Sequence, residues 1–475
     1  MRAYDPSVET QVLTSSSPEY EQYRTRIFNS RQPNRKPIEI VLPRTTEDVV
    51  VAINRAGEKN IKVGVRSGGH LFAAPSVIDE GMLIDTKYLN KSLEYDAATK
   101  VISFSPGHTV EDLANYCTSI KRFFPFGHSR SVGIGGFLLA GGQGLYCRGH
   151  GYTCETWVTQ IEVVLPSGEV VIASKTQNHD LWWAAWGAGQ GFFGVLTRIW
   201  GRTNRFRQQF DVTYILDSTE CFKPLLKWAL DNSERIPRHG VDLMIGTLYA
   251  DAQAPGDGDE SEAKRVFMVL NATMACDSIE EAKTLSAPLG AIPEEFKKFV
   301  VAHMPVQERG WEDMWDLQDK FIPSGQGERY RVDSIIVDNG VSNDEIVEAC
   351  SPALFELPTR KSTGTIIIVD WNPDEADQAL SLPQRMTVAT MVCYHNPELD
   401  VKMDKWSYEV YKKAEKVGLG QYIADFDAQQ RLTKLQVMTD SAMTKWLKIR
   451  EKYDPEERFI GYRSFKKSLE LKWNR

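Results

Sequence analysis

The chain has 475 residues, 42% of them hydrophobic and 25% charged, and carries a net charge of −8. That balance is ordinary for a globular protein of about two to four domains, and it argues against a nucleic-acid binder, which needs a basic surface. No run reaches the roughly 18 apolar residues that cross a membrane, so no membrane partner is expected.

The N-terminal stretch MRAYDPSVETQVLTSSS has no apolar core of the signal-peptide kind, and the protein is therefore expected in the cytoplasm. Ile38 to Leu42 reads as a strand. Pro43-Arg44-Thr45-Thr46-Glu47-Asp48 then opens a helix, with Thr45 as its cap and Val49, Val50, Ile53 and Ala56 as its apolar face. Lys62 to Val65 is a second strand and runs into Arg66-Ser67-Gly68-Gly69-His70. Val101 to Ser105 and Gln160 to Val164 are further strands, and Pro166-Ser167-Gly168-Glu169 is a hairpin turn. Leu181 to Trp200 passes through Gly187-Ala188-Gly189-Gln190-Gly191 and ends in a strand.

Beyond about Phe206 the glycine clusters stop. Ile366 to Val369 and Val388 to Cys393 look like strands of a separate sheet, and Ala442 to Lys452 like a helix ended by Asp454-Pro455. The seven cysteines are scattered and odd in number, which gives no disulfide framework and no metal site.

Three glycine clusters mark the first 200 residues: Arg66 to His70, Ser131 to Gly144 and Gly187 to Gly194. Glycine lets backbone N–H groups approach a ligand unshielded, and successive N–H groups form a nest for an anion such as a pyrophosphate. Yet no P-loop is present, and Gly133-Ile134-Gly135-Gly136 lacks the spacing of the dinucleotide fingerprint. A glycine-rich site of another kind is required.

Four segments together resemble the berberine-bridge-enzyme-like branch of the vanillyl-alcohol-oxidase and p-cresol-methylhydroxylase superfamily. They are Arg66-Ser67-Gly68-Gly69-His70; Ser131 to Gly136 with Gly141-Gly142-Gln143-Gly144; Asn178-His179-Asp180-Leu181-Trp182-Trp183; and Lys452-Tyr453-Asp454-Pro455 with Phe459. The resemblance implies an α+β fold. Residues 1–205 would form the first part of a p-cresol-methylhydroxylase-type FAD-binding domain. Residues 206–430 would form a substrate domain with an antiparallel sheet backed by helices, and 431–475 would return to the FAD-binding domain.

It also implies roles. FAD would be bonded through its 8α carbon to His70, with the backbone of Arg66, Ser67, Gly68 and Gly69 around the pyrophosphate and Gly133, Gly135, Gly136, Gly141 and Gly142 in the second glycine segment. Many relatives carry a second flavin bond from a cysteine; here that position is Ser129, so a single link is expected. Where the branch often has Tyr-x-Asn, this chain has Tyr422-Ile423-Ala424. Tyr422 is expected as catalytic base if a neighbouring cation or the flavin edge lowers its pKa, with Asp370 as its orienting partner; Tyr394 and His395 are weaker candidates. Val132, three residues after Ser129, takes the position at which a bulkier residue would shield the flavin from O2. The implied activity is oxidation of a small organic substrate of natural-product metabolism, with O2 as acceptor. The alternatives are an oxidative cyclase and a flavin carrier without catalysis.

Overall fold

The computed structural model describes residues 10–256, 258–425 and 435–461. Three sheets organise them. In the first, Glu39–Leu42, Met82–Asp85 and Val63–Arg66 run parallel, with Gln11–Leu13 antiparallel on the edge. The helix Thr46–Glu58 follows the first parallel strand. Thr45 accepts the Asp48 N–H, and Asp48 accepts the Thr45 N–H in return, so the first turn leaves few orphan donors. Val49, Ala52, Ile53 and Ala56 form its buried stripe at helical spacing.

The second sheet is antiparallel, in the order Glu94–Asp96, Val101–Phe104, Val195–Arg202, Val158–Val164 and Val170–Ala173. The expected turn at Pro166 to Glu169 joins its last two strands as a hairpin. One continuous core underlies both sheets and takes in Trp182, Trp183, Trp186 and Trp446.

The third sheet has seven antiparallel strands, in the order Val300–Glu308, Gln208–Asp217, Val266–Cys276, Val241–Tyr249, Thr363–Trp371, Gln384–Tyr394 and Arg329–Val337. Its strands alternate with period two. Phe210, Val212, Leu243, Ile245, Leu270 and Ala272 point to the helices Phe222–Ser233, Asn343–Phe355 and Asp400–Ala414 and build a second core. The residues of opposite parity face the first two sheets, and a cavity lies there.

The C-terminal helix Asp440–Tyr453 packs back on the first half of the chain. Trp446 donates its indole N–H to the Ala184 carbonyl at 2.9 Å, and Val63 donates to the Arg458 carbonyl at 2.8 Å. The expected boundary at 430/431 lies outside the described residues.

Candidate active site

The cavity has a volume of about 570 Å³ and separates the glycine-rich loops from the seven-stranded sheet. Its near wall starts from the strand Val63–Arg66. The Arg66 side chain turns away from it: the guanidinium is buried against Asp85, at 2.7 Å, with Arg26 on the other carboxylate oxygen at 2.6 Å. Burial alone would raise the Asp85 carboxyl, but the two guanidinium groups outweigh it and hold Asp85 below the usual carboxylate range. This buried ion cluster fixes the end of the strand, so the Arg66–His70 loop leaves it in one direction. Ser67 tightens the loop further by donating to the Pro106 carbonyl at 2.6 Å.

The loop is locked to the second glycine segment by close backbone approach. A Cβ built on Gly68 would lie 2.3 Å from the Gly133 nitrogen, and one built on Gly133 would lie 2.1 Å from the Gly68 nitrogen. Only two glycines permit this contact. Gly136 is different. It sits inside the helix Ile134–Leu139, lines the cavity, and a Cβ there would meet no heavy atom within 4 Å. A glycine inside a helix costs roughly 0.5–1 kcal/mol relative to alanine. The protein itself does not need the bare position, whereas a ligand lying against the helix does.

Two further groups point to what that ligand is. The Gln143 side-chain amide nitrogen is buried on the cavity wall without a hydrogen-bond partner among the described residues, a donor left for an acceptor atom of a bound molecule. His70 also lines the cavity. Its Nε2 is 2.9 Å from Ser131 Oγ, and Phe28 packs on the ring at 4.6 Å between centroids. Nδ1 has no partner among the described residues. Burial pulls the imidazole down to about 4, so the ring is neutral near pH 7 and keeps a lone pair on one of its two nitrogens, on Nδ1 when Nε2 donates to Ser131. A bare helix face, an orphan donor and a neutral ring nitrogen fit FAD.

Comparison with known proteins settles the family. A model described as "FAD binding domain" matches residues 37–174. The FAD-linked oxidoreductase janO of Penicillium janthinellum is 31% identical over 451 residues, covering 93% of this chain and 94% of the relative. The chain belongs to the FAD-linked oxidoreductases. Solved structures agree in fold. 6-Hydroxy-D-nicotine oxidase from Arthrobacter nicotinovorans superposes with a TM-score of 0.80 at 16% identity, covering 96% of this chain and 98% of that one. Physcomitrella patens BBE-like 1 does so with a TM-score of 0.78 at 17% identity, covering 95% of each.

In this FAD-linked oxidoreductase, Arg66, Ser67, Gly68, Gly69, His70, Ser129, Val132, Gly133, Gly135 and Gly136 all line the cavity. Gly141 and Gly142 do not. Their φ angles are +108° and +77°, and a Cβ on them would press on Leu380 at 2.9 Å and Thr153 at 2.7 Å. They shape the segment behind the wall and do not touch the ligand space. None of the seven cysteines lines the cavity. Burial pushes the Cys147 and Cys154 thiols well up, which keeps them unreactive.

The expected catalytic pair is not assembled. Asp370 stands outside the cavity, beyond a register break between Ile368 and Trp371 and with φ +49°. Its carboxylate takes the buried Arg148 guanidinium at 3.0 Å, so it is an ion-pair partner and cannot orient Tyr422. Tyr422 does line the cavity. However, burial pushes its phenol up, and the hydrogen bond from the Gln143 backbone N–H only partly offsets this. The next strongest influences, Asp425, Cys147 and Cys154, are not cations, so no protein group supplies the positive charge that would lower the phenol. Tyr394 is buried with its hydroxyl on Asp400 at 2.9 Å, and His395 lies 3.7 Å from Asp259; neither lines the cavity.

Proposed function

We propose that this FAD-linked oxidoreductase is an oxidase of a small organic molecule of natural-product metabolism, with FAD held by a single bond from His70. The observation that carries the reading is the His70 ring on the cavity wall, with Nε2 engaged by Ser131 and Nδ1 left over. When bound, FAD supplies a two-electron acceptor that takes a hydride at N5 and returns the electrons to O2 as hydrogen peroxide. The chain's own residues do the rest. The Arg66–Gly69 backbone and Gly133 to Gly136 hold the dinucleotide, and the Gln143 amide donates to it. The seven-stranded sheet closes the far side and receives the substrate, with the Tyr422 phenol as a hydrogen-bond donor. Val132 stands on the same wall beside Ser129, where its small side chain leaves O2 a path.

The test is anaerobic mixing of purified yellow protein with a panel of alcohols and amines, followed by aeration. Bleaching of the flavin, then one peroxide per flavin reoxidised, is the expected result. Bleaching without peroxide on aeration would refute an oxidase.

A further inference from the structure

With Asp370 outside the cavity and paired with Arg148, the far wall carries another candidate proton acceptor. His128 Nε2 lies 2.7 Å from Asp242 Oδ2. The two residues are 114 apart in sequence, one on the glycine-rich side and one on the seven-stranded sheet, and both line the cavity. The Asp242 side chain is 10% exposed and that of His128 32%.

The sheet register shows why Asp242 is available to a histidine. Asp211, Thr273 and Asp242 are direct cross-strand neighbours on three adjacent strands, so their side chains share one face. Asp211 is already committed to Arg309, at 3.0 Å. Asp242 has the imidazole as its side-chain hydrogen-bond partner. A carboxylate on Nε2 fixes the proton there and leaves the Nδ1 lone pair free. Nδ1 has no partner among the described residues. Burial works against the imidazolium, but the charge and hydrogen bond of Asp242 outweigh it and raise the ring above its ordinary value, so the Nδ1 lone pair is available only at pH above that raised value.

The rows that follow along the same face lose their polarity. Met304, Met244 and Ile367 lie in the second row, Ile215 and Val269 in the third. The helix Trp311–Phe321 covers the cavity with Met314, Trp315 and Phe321. Of the polar members of the second row, Thr213 and Asn271 are spent on each other at 2.9 Å, and Thr387 is hydrogen-bonded to Gln384.

We propose that the His128–Asp242 pair accepts the proton of a hydroxyl group on a largely apolar substrate, whose hydrocarbon part lies along the methionine- and isoleucine-lined end of the sheet. The substrate O–H bond breaks and an N–H bond forms at Nδ1. The electron pair left on oxygen can then close to a carbonyl, and FAD held by the Arg66–His70 loop would supply the acceptor for the carbinol hydride. This rests on the oxidase reading for the fate of those electrons, but the binding chemistry stands apart from it.

The test uses holoenzyme and reads perturbation of the flavin absorbance, which needs no turnover. Three probes are titrated: farnesol, farnesene and cellobiose. Farnesol should bind about fivefold or more tighter than farnesene, the size of one net hydrogen bond, and cellobiose weakest of the three. His128→Ala should erase the difference between farnesol and farnesene, with flavin content reporting that the variant has folded. His128→Asn serves where alanine lowers that content. In 15N-histidine-labelled holoenzyme, farnesol should move the His128 Nδ1 signal upfield, as a lone pair does on accepting a hydrogen bond, and farnesene should not. Equal binding of farnesol and farnesene, a preference that survives both substitutions, an unmoved Nδ1 signal, or tightest binding of cellobiose would each overturn the proposal. Loss of peroxide formation alone would refute the oxidase reading and leave these results in force.

Discussion

Replacing Gly136 by alanine should separate what the protein needs from what its cofactor needs. The position lies in the helix Ile134–Leu139, and the new methyl would meet no protein atom within 4 Å. In the apoprotein the substitution should therefore stabilise the helix by about 0.5–1 kcal/mol. Unfolding entropy of about 2.1 cal/mol/K per residue, taken over 475 residues, makes that a rise in Tm of only about 0.5–1 °C. In the holoprotein the methyl would intrude on space occupied by FAD. Overpacking of one methyl costs about 1–3 kcal/mol, which is roughly 5- to 150-fold in Kd. The measurement is best made in a His70→Ala background, where binding is reversible, by quenching of FAD fluorescence. An unchanged Kd would show that the cofactor does not lie against this helix. A lower apoprotein Tm would show that the position faces protein after all.

Four further outcomes follow from the same geometry. Wild-type protein should keep its flavin through acid precipitation, His70→Ala should release it, and peptide mapping should find flavin on the His70 peptide and on none of the seven cysteine peptides. Val132→Leu should slow reoxidation of the reduced enzyme in aerated buffer and leave its reduction by substrate nearly unchanged; equal reoxidation traces would remove the oxygen path from the argument. Asp370→Ala should cost about 3 kcal/mol in chemical denaturation, because it strips the carboxylate from a guanidinium whose side chain is 1% exposed, while the rate of flavin reduction per bound flavin stays the same. Tyr422→Phe should slow flavin reduction by no more than about tenfold, the loss of one donor; a loss of 10²-fold or more would restore Tyr422 as the base.

The features legible in the chain alone are those set by local physics. The Thr45 cap with Asp48 and the stripe Val49–Ala56 need only the helix period, and the turn at Pro166 to Glu169 needs only turn chemistry. The glycine clusters announced a ligand because nothing local explains them, and the resemblance they carry extended that to FAD and His70. The placing of Asp370 is not legible from strand period, because the register breaks between Ile368 and Trp371 and Asp370 itself has φ +49°.

Other features are decided only by the tertiary fold. Period two says which residues of a strand share a face, but not which face meets the cofactor loops or what stands opposite. His128 and Asp242 meet because a loop of one half and a strand of the other are brought to 2.7 Å across a cavity, and no sequence spacing encodes that distance. The protonation of Tyr422 is likewise a tertiary matter. The residue type allows base or donor, and the burial of its hydroxyl among groups that are not cations raises the phenol and so favours the donor form within the protein.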